Sequence, residues 1–261
     1  MKPNDYNKNR YLLEQGVTLI EVLVVMAVVV VLLSIMLPAL TKSREISRRT
    51  ICRSNLGELS RAALLYSNDD SRGVLVAQLE PDDRNLSWIY PRYIPNFSLL
   101  NCPSTLNRIS GKPGIDPISG EPTLAELTFL AKDGKSRTGV SYMQTGWMGW
   151  RARTSTTIEI KGRTWDVPFT RKTVENVNRY EHFWNAFSLK GTIPGPSQIW
   201  IFNDNNYADQ IHFPDRLDNH GSVGGNIAFV DGHVEWVSAN KYVYSYELSQ
   251  DDNRETIVFN H

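Results

Sequence analysis

Residues Val22 to Thr41 are about twenty uncharged positions with Ser34 as the main polar interruption, and nothing else in the 261-residue chain approaches them. Coiled as a helix, such a run is long enough to cross a hydrocarbon core of roughly 30 Å. Immediately before it stands Gly16-Val17-Thr18-Leu19-Ile20-Glu21, which places one carboxylate at the start of the apolar segment. An unpaired charge costs several kcal/mol in lipid, so Glu21 needs a physical reason. One is local: Thr18-Leu19-Ile20-Glu21 fits the Ser/Thr-x-x-Glu capping box, in which the carboxylate satisfies a free backbone N–H and faces the positive end of the helix dipole.

Three readings of this segment are open. A plain membrane anchor needs only the apolar run. A secretory signal would have a shorter apolar region, of about 7–15 residues, and would be cut after a small residue such as Ala39. The third reading uses the whole combination of a short polar leader, Gly16, Thr-Leu-Ile-Glu and a long apolar helix carrying Pro38. In this the chain resembles the prepilin family, the precursors of type IV pilins and of the pseudopilins of type II secretion. The resemblance implies a leader over 1–16, cut between Gly16 and Val17 by a prepilin peptidase that also methylates the new amino terminus. It further implies assembly through residues 17–40, with Glu21 and Pro38 at positions where the family keeps these residue types. A bare α-amino group and a carboxylate are each costly in lipid but compatible when paired between adjacent subunits, so Glu21 would set the assembly register.

Orientation sets two rules against each other. Lys2, Lys8 and Arg10 precede the apolar run, whereas Lys42, Arg44, Arg48, Arg49 and Arg53 follow it, and the positive-inside rule would put the following side in the cytoplasm. Cleavage at Gly16 requires the opposite. The resemblance therefore implies an inner-membrane protein with a cytoplasmic N-terminus and an extracytoplasmic globular domain.

The helix is expected to continue over 41–68, because Cys52, Leu56, Leu59, Ala63 and Tyr66 recur at spacings of four and three. Together the two halves make about fifty residues, near 75 Å at 1.5 Å per residue. Pro38 removes one hydrogen bond and is expected to bend or locally melt the helix. From residue 69 to 261 short apolar or alternating runs are separated by Pro, Gly, Asn and Asp, which reads as strands and loops in a single β-rich domain. Expected strands are Gly139–Met143, Thr154–Lys161, Gln198–Asn203, Asn226–Val230, His233–Val237 and Thr256–Phe259. Asn107 to Pro122, with three prolines and three glycines, reads as an exposed loop. The expected fold class is α+β: a pilin-like long N-terminal helix packed on an antiparallel β-rich domain.

Asp231-Gly232 between two alternating runs predicts a type I′ hairpin over 226–237, with positive φ at both central residues. The segment from His220 to Asp231-Gly232 also resembles the H-x9-DG ending of large prepilin-like proteins. Here ten residues intervene, and the extra one is expected in a bend at Gly224-Gly225. Cys52-x-x-Asn55-Leu56 and Cys102-Pro103 match the same subfamily. The two cysteines fit an exported protein either as a Cys52–Cys102 disulfide or as two buried thiols, and spacing does not decide between them.

Asp204, Asp209, Asp218, His220 and Asp231 crowd near the C-terminal motif as metal candidates. Their oxygens suit Ca²⁺, which some pseudopilins bind, whereas histidine suits a transition metal. No EF-hand spacing is present, and Asp, Asn and His are also ordinary loop residues. No cofactor is required. Recognisable catalytic spacings are lacking too, so the chain is expected to act by polymerising with other pilin or pseudopilin subunits and not as an enzyme. Balanced charge, 28 basic against 28 acidic residues, argues against a nucleic-acid partner. The rival class is a membrane-anchored extracytoplasmic ligand-binding module. Its main support is Gly146-Trp147-Met148-Gly149-Trp150, whose rings would stack on a sugar if exposed; core packing is the commoner fate of tryptophan.

Overall fold

A computed structural model describes residues 17–78, 85–105, 107–116, 120–128, 139–149, 156–160, 163–167, 169–204, 214 and 219–253. The leader with Gly16, the candidates Asp209 and Asp218, Trp150 and the expected strand Thr256–Phe259 lie outside the described residues. The chain divides into two units, Met1–Arg44 and Glu45–His261.

Helix α1 spans Leu19–Asp69, close to the bounds expected from the sequence. Its start is the capping box. Thr18 donates to Glu21 Oε2 from both its backbone N and its Oγ1, each at 2.8 Å, and Glu21 N donates back to Thr18 Oγ1 at 3.3 Å. The helix is unbroken at Pro38, so of the bend or local melting expected there the melting does not occur. In the first unit every large apolar side chain from Val17 to Leu40 is at least 41% exposed.

In the second unit α1 becomes a core element. Its buried face is Cys52, Asn55, Leu56, Leu59, Ser60, Ala62, Ala63 and Ser67, which contains most of the expected stripe, while Tyr66 is half-buried. Asp69-Asp70 ends the helix as the sequence indicates, with Asp70 Oδ1 accepting from Arg72 N at 2.8 Å.

Ten short strands follow among the described residues. β1 (Pro113–Ile115) pairs antiparallel with β2 (Pro122–Leu124), so the segment expected to be a loop holds a hairpin arm. Its support is Glu126, buried and accepting from Ser110 N and Lys112 N at 3.0 and 3.1 Å. β3 is Tyr142–Gln144 and β4 is Trp147–Met148. β5 (Thr156–Ile160) falls within an expected strand and pairs with β6 (Arg163–Val167), which the residue pattern did not reveal. β7 (Thr170–Arg171) pairs with β4, and the short helix α2 (Val174–Arg179) is capped by Thr173, whose hydroxyl accepts from Asn176 N. β8 (Trp200–Asp204), β9 (Gly224–Phe229) and β10 (Val234–Ser238) join β3 in an antiparallel sheet of order β10-β9-β8-β3.

Helix α3 (Ala239–Gln250) follows β10 and contacts β9, β10 and β4. The sheet is therefore covered on both faces. Ala228 and Val230 point into the core with Leu56 and Leu59, whereas Ile227 and Phe229 point into a second cluster with Tyr242 and Tyr246 of α3. That two-sided burial accounts for the continuous apolar runs of β8 and β9. Trp147 is only 4% exposed and packs against Phe169 at 5.4 Å between ring centroids, so it offers no stacking platform. Lys172 is buried beneath α3, donating to Trp200 O, Thr145 Oγ1 and Ser249 Oγ at 2.9, 3.3 and 3.2 Å. Burial pushes its ammonium well below the usual lysine range.

The hairpin between β9 and β10 differs from the expected type I′ turn. Gly232 has φ of +90°, but Asp231 does not have positive φ. Gly232 N donates to Phe229 O and Phe229 N to His233 O, each at 3.0 Å, which gives a three-residue loop closed by a left-handed glycine. Gly224 and Gly225 pair in regular register with Ser238 and Val237, so the expected bend is not in the strand. The irregular backbone lies just upstream, in a 3-10 turn at Gly221–Val223.

α3 is tied down at its C-terminus by Asp251, which adopts a left-handed conformation at φ +53° and is buried. Asp251 Oδ2 accepts from Tyr180 Oη and Phe183 N at 2.6 and 2.8 Å, and Oδ1 from Trp184 N at 3.1 Å. His182 Nδ1 stands 3.3 Å from Asp251 Oδ1, and its Nε2 stands 2.9 Å from Leu248 O. Both ring nitrogens thus face acceptors. Burial works to lower the His182 pKa, but Asp251, Leu248 O and the Glu247 charge outweigh it, so the net shift is upward. Asp251 is shifted downward, its burial overcome by His182 and Tyr180.

The signs of these shifts define a window. The raised histidine stabilises fully below its unfolded pKa of about 6.5 and loses that contribution as pH rises through its folded value; the lowered aspartate stabilises above about 4. The stability difference between the native chain and His182→Gln should be largest between roughly pH 4 and 6.5 and should shrink on going to pH 8.5. Denaturant titrations across that range would show a growing difference if the pair were not ionic.

Candidate functional site

The sequence motif places His220 at a buried junction of three elements. Its side chain is fully enclosed, with Nδ1 2.8 Å from Glu45 Oε1 of α1 and Nε2 3.3 Å from Asp204 Oδ2 at the end of β8. Cys102 Sγ lies 3.7 Å from Nε2, and Cys102 is joined to Cys52 of α1 by a disulfide. The ring meets Trp236 of β10 edge-on at 5.6 Å, and Arg49 lies 4.1 Å over the Trp236 ring while its Nε reaches Glu45 Oε1 at 3.1 Å.

Each carboxylate is further held. Asp204 Oδ2 accepts from Asn226 N and Nδ2 at 2.7 and 2.9 Å, and Oδ1 accepts from Asn219 Nδ2 at 3.3 Å. Glu45 Oε2 accepts from Ser104 Oγ at 3.3 Å. Because both nitrogens of His220 face acceptors, the imidazolium form fits the geometry. Burial works against the charge, but Asp204 and Glu45 outweigh it and hold the His220 pKa above the ordinary histidine value. Burial likewise pushes Glu45 upward, yet His220 and Arg49 leave it net below the usual carboxylate range.

Of the metal candidates, only Asp204 and His220 come together among the described residues. Asp231 is at the β9–β10 turn, where its Oδ1 accepts from His233 N at 3.1 Å and contacts His233 Nδ1 at 2.5 Å. A six-residue strand, roughly 17 Å from end to end, separates that turn from His220. The interval between His220 and Asp231-Gly232 is thus one 3-10 turn, one strand and Val230 of the loop. Ca²⁺ wants six to eight oxygens, whereas Asp204 is surrounded by N–H donors, an imidazole and sulfur, so this junction does not fit that ion.

Sequence reasoning missed Glu45, Asn219 and Asn226. A signal existed for the first: Glu45 is the one acid in the basic stretch Lys42 to Arg53. The cationic strip itself is not uniform, since Arg49 is drawn into the junction. Comparison with family models, curated proteins and solved structures finds no match.

Removing the histidine would leave a buried carboxylate without its cation, a change that costs about 3–5 kcal/mol. His220→Ala should therefore lower unfolding free energy by about 3 kcal/mol or more, and Asp231→Asn, at the partly exposed turn, by less than about 1 kcal/mol. Comparable losses in the two variants would show that the motif's ends act as one unit.

Proposed function

We propose that the chain is a pilin-like or pseudopilin-like structural subunit, cut after Gly16, N-methylated at Val17 and assembled through its N-terminal helix into a type IV pilus or a type II secretion pseudopilus. The carrying observation is α1 itself. Its apolar N-terminal part, long enough to be a membrane anchor or a signal sequence, exposes all its large side chains, and the same helix supplies a core face to the globular domain. An exposed apolar surface of this length requires lipid or other subunits.

In this reading the leader is cytoplasmic, the helix sits in the inner membrane and the domain is extracytoplasmic, where a Cys52–Cys102 disulfide persists. The peptidase and other pilin or pseudopilin subunits are its partners. It works by polymerising, with no catalytic step, no required cofactor and no nucleic acid. The alternative of an anchored sugar-binding module loses Trp147, one of its two candidate rings, to the core.

Glu21 has two roles to separate. Its capping contacts with Thr18 are local, and Thr18→Ala removes two of the three while keeping the carboxylate. Glu21→Gln keeps the side-chain shape and removes the charge that would pair with a neighbour's amino terminus. Glu21→Gln and Glu21→Ala should be processed and folded but enter sheared filaments about tenfold less, whereas Thr18→Ala should assemble within about threefold of the native chain; tenfold corresponds to 1.4 kcal/mol. Equal loss in Thr18→Ala and Glu21→Gln, or normal assembly of Glu21→Ala, would remove the register role.

A further inference from the structure

The junction around His220 holds a donor set that the filament role does not use. Cys52 Sγ, Cys102 Sγ, Asp204 and His220 are all buried, and their ligand atoms lie within 4.8 Å of one another. We propose that the reduced chain carries a structural zinc site made of Cys52 Sγ, Cys102 Sγ, His220 Nε2 and Asp204 Oδ2, and that this site and the disulfide are alternative states of the same junction.

Two distances support it. In a tetrahedral site with bonds of about 2.0–2.3 Å, nitrogen and oxygen ligands stand roughly 3.3 Å apart, and nitrogen and sulfur roughly 3.6 Å. His220 Nε2 is 3.3 Å from Asp204 Oδ2 and 3.7 Å from Cys102 Sγ. The two sulfurs must separate, to roughly 3.8 Å, and all four ligand atoms already lie within 4.8 Å of one another. With Cα atoms 5.5 Å apart, side-chain rotation supplies that movement.

The surroundings match what a metal-bound histidine needs. Glu45 Oε1 accepts from Nδ1 at 2.8 Å, which fixes the tautomer that presents Nε2 to the site, and Ser104 Oγ and Arg49 hold that carboxylate in turn. Ser104 N approaches Cys102 Sγ at 3.4 Å, a donor that stabilises thiolate. Asn226 N and Nδ2 both bind Asp204 Oδ2, so Asp204 is oriented before any ion arrives. Two thiolates, an imidazole and a carboxylate select Zn²⁺ over Ca²⁺ or Mg²⁺.

The chemistry balances without other groups. A thiol reductant takes the disulfide to two thiols and is itself oxidised to its disulfide. Zn²⁺ then displaces the two thiol protons and the Nε2 proton. An oxidant of the disulfide class reverses the sequence, reclaiming the sulfurs and releasing the ion. A chain that folds before it is oxidised would thus have its helix joined to the domain by metal, and afterwards by the covalent bridge.

The test uses the full chain in detergent, reduced with a phosphine, which is converted to its oxide, and titrated without air against Co²⁺ as a spectroscopic stand-in for Zn²⁺. The reduced protein should take up one equivalent with a thiolate-to-cobalt charge-transfer band and tetrahedral visible absorption, both abolished by Zn²⁺, and the oxidised protein should show neither. His220→Ala and Asp204→Asn should weaken binding at least about tenfold, and Glu45→Gln by about 10–100-fold. No charge-transfer band in the reduced native chain overturns the proposal. So does a band of unchanged affinity in His220→Ala, which would mean a pair of thiolates in an unfolded or loose chain.

Discussion

The fold depends on one helical face serving as the wall of the globular domain. From Cys52 to Ser67, α1 turns Leu56, Leu59 and Ala63 into the same cluster as Leu75, Ile89, Leu100 and Ile201, residues drawn from widely separated segments. Polar contacts fix the register of that wall. Asn55 Nδ2 donates to Tyr142 Oη at 3.1 Å, Ser60 Oγ to Phe229 O at 3.3 Å, and Glu45 meets His220. The disulfide from Cys52 to Cys102, across 50 residues, adds a covalent tie worth roughly 4 kcal/mol at best. These ties keep the later half of the helix from sliding, whereas the first half leaves its large apolar side chains exposed.

The C-terminal motif gains a physical meaning from this arrangement. His220 joins α1 to the end of β8 through two carboxylates, and Asp231-Gly232 closes the β9–β10 loop at the other end of β9. The motif is thus a strand with a charge clamp at its start and a turn at its end. Gly232 is needed for a left-handed φ that other residues adopt only with strain. A buried ion pair is weak support for stability taken alone, because desolvation opposes it. What it does here is tie Glu45 of α1 to Asp204 at the end of β8 through one histidine.

Much of this was legible in the residues. The apolar run, the capping box and the Cys52–Tyr66 stripe placed α1 within about two residues at each end, because a 3.6-residue period sustained over several turns suits a helix and no strand. β8, β9 and β10 were visible as apolar runs between turn residues. What escaped detection was set by tertiary context. In α3 the buried Tyr242, Val243 and Tyr246 have helical spacing, but tyrosine and valine also favour strands, and no glycine or proline marks its ends. Asp-Gly pointed to a hairpin correctly and to its turn type wrongly, since Val230 extends the loop by one residue. Of the Asp and His residues that crowd near the motif, Asp204 meets His220, but the other partners of that ring, Glu45 and Cys102, lie more than a hundred residues away in sequence.

One helix thus carries an exposed apolar run in its first half and a face packed into the globular domain in its second. The central claim is that the amino end of that helix is created by cleavage, and the mass of the N-terminal peptide from protein taken out of its native membrane addresses that claim most directly. The expected result is a chain beginning at N-methylated Val17, with the apolar helix retained. A chain beginning at Met1, or cut near Ala39, would contradict it and leave an anchored or secreted domain in place of a filament subunit.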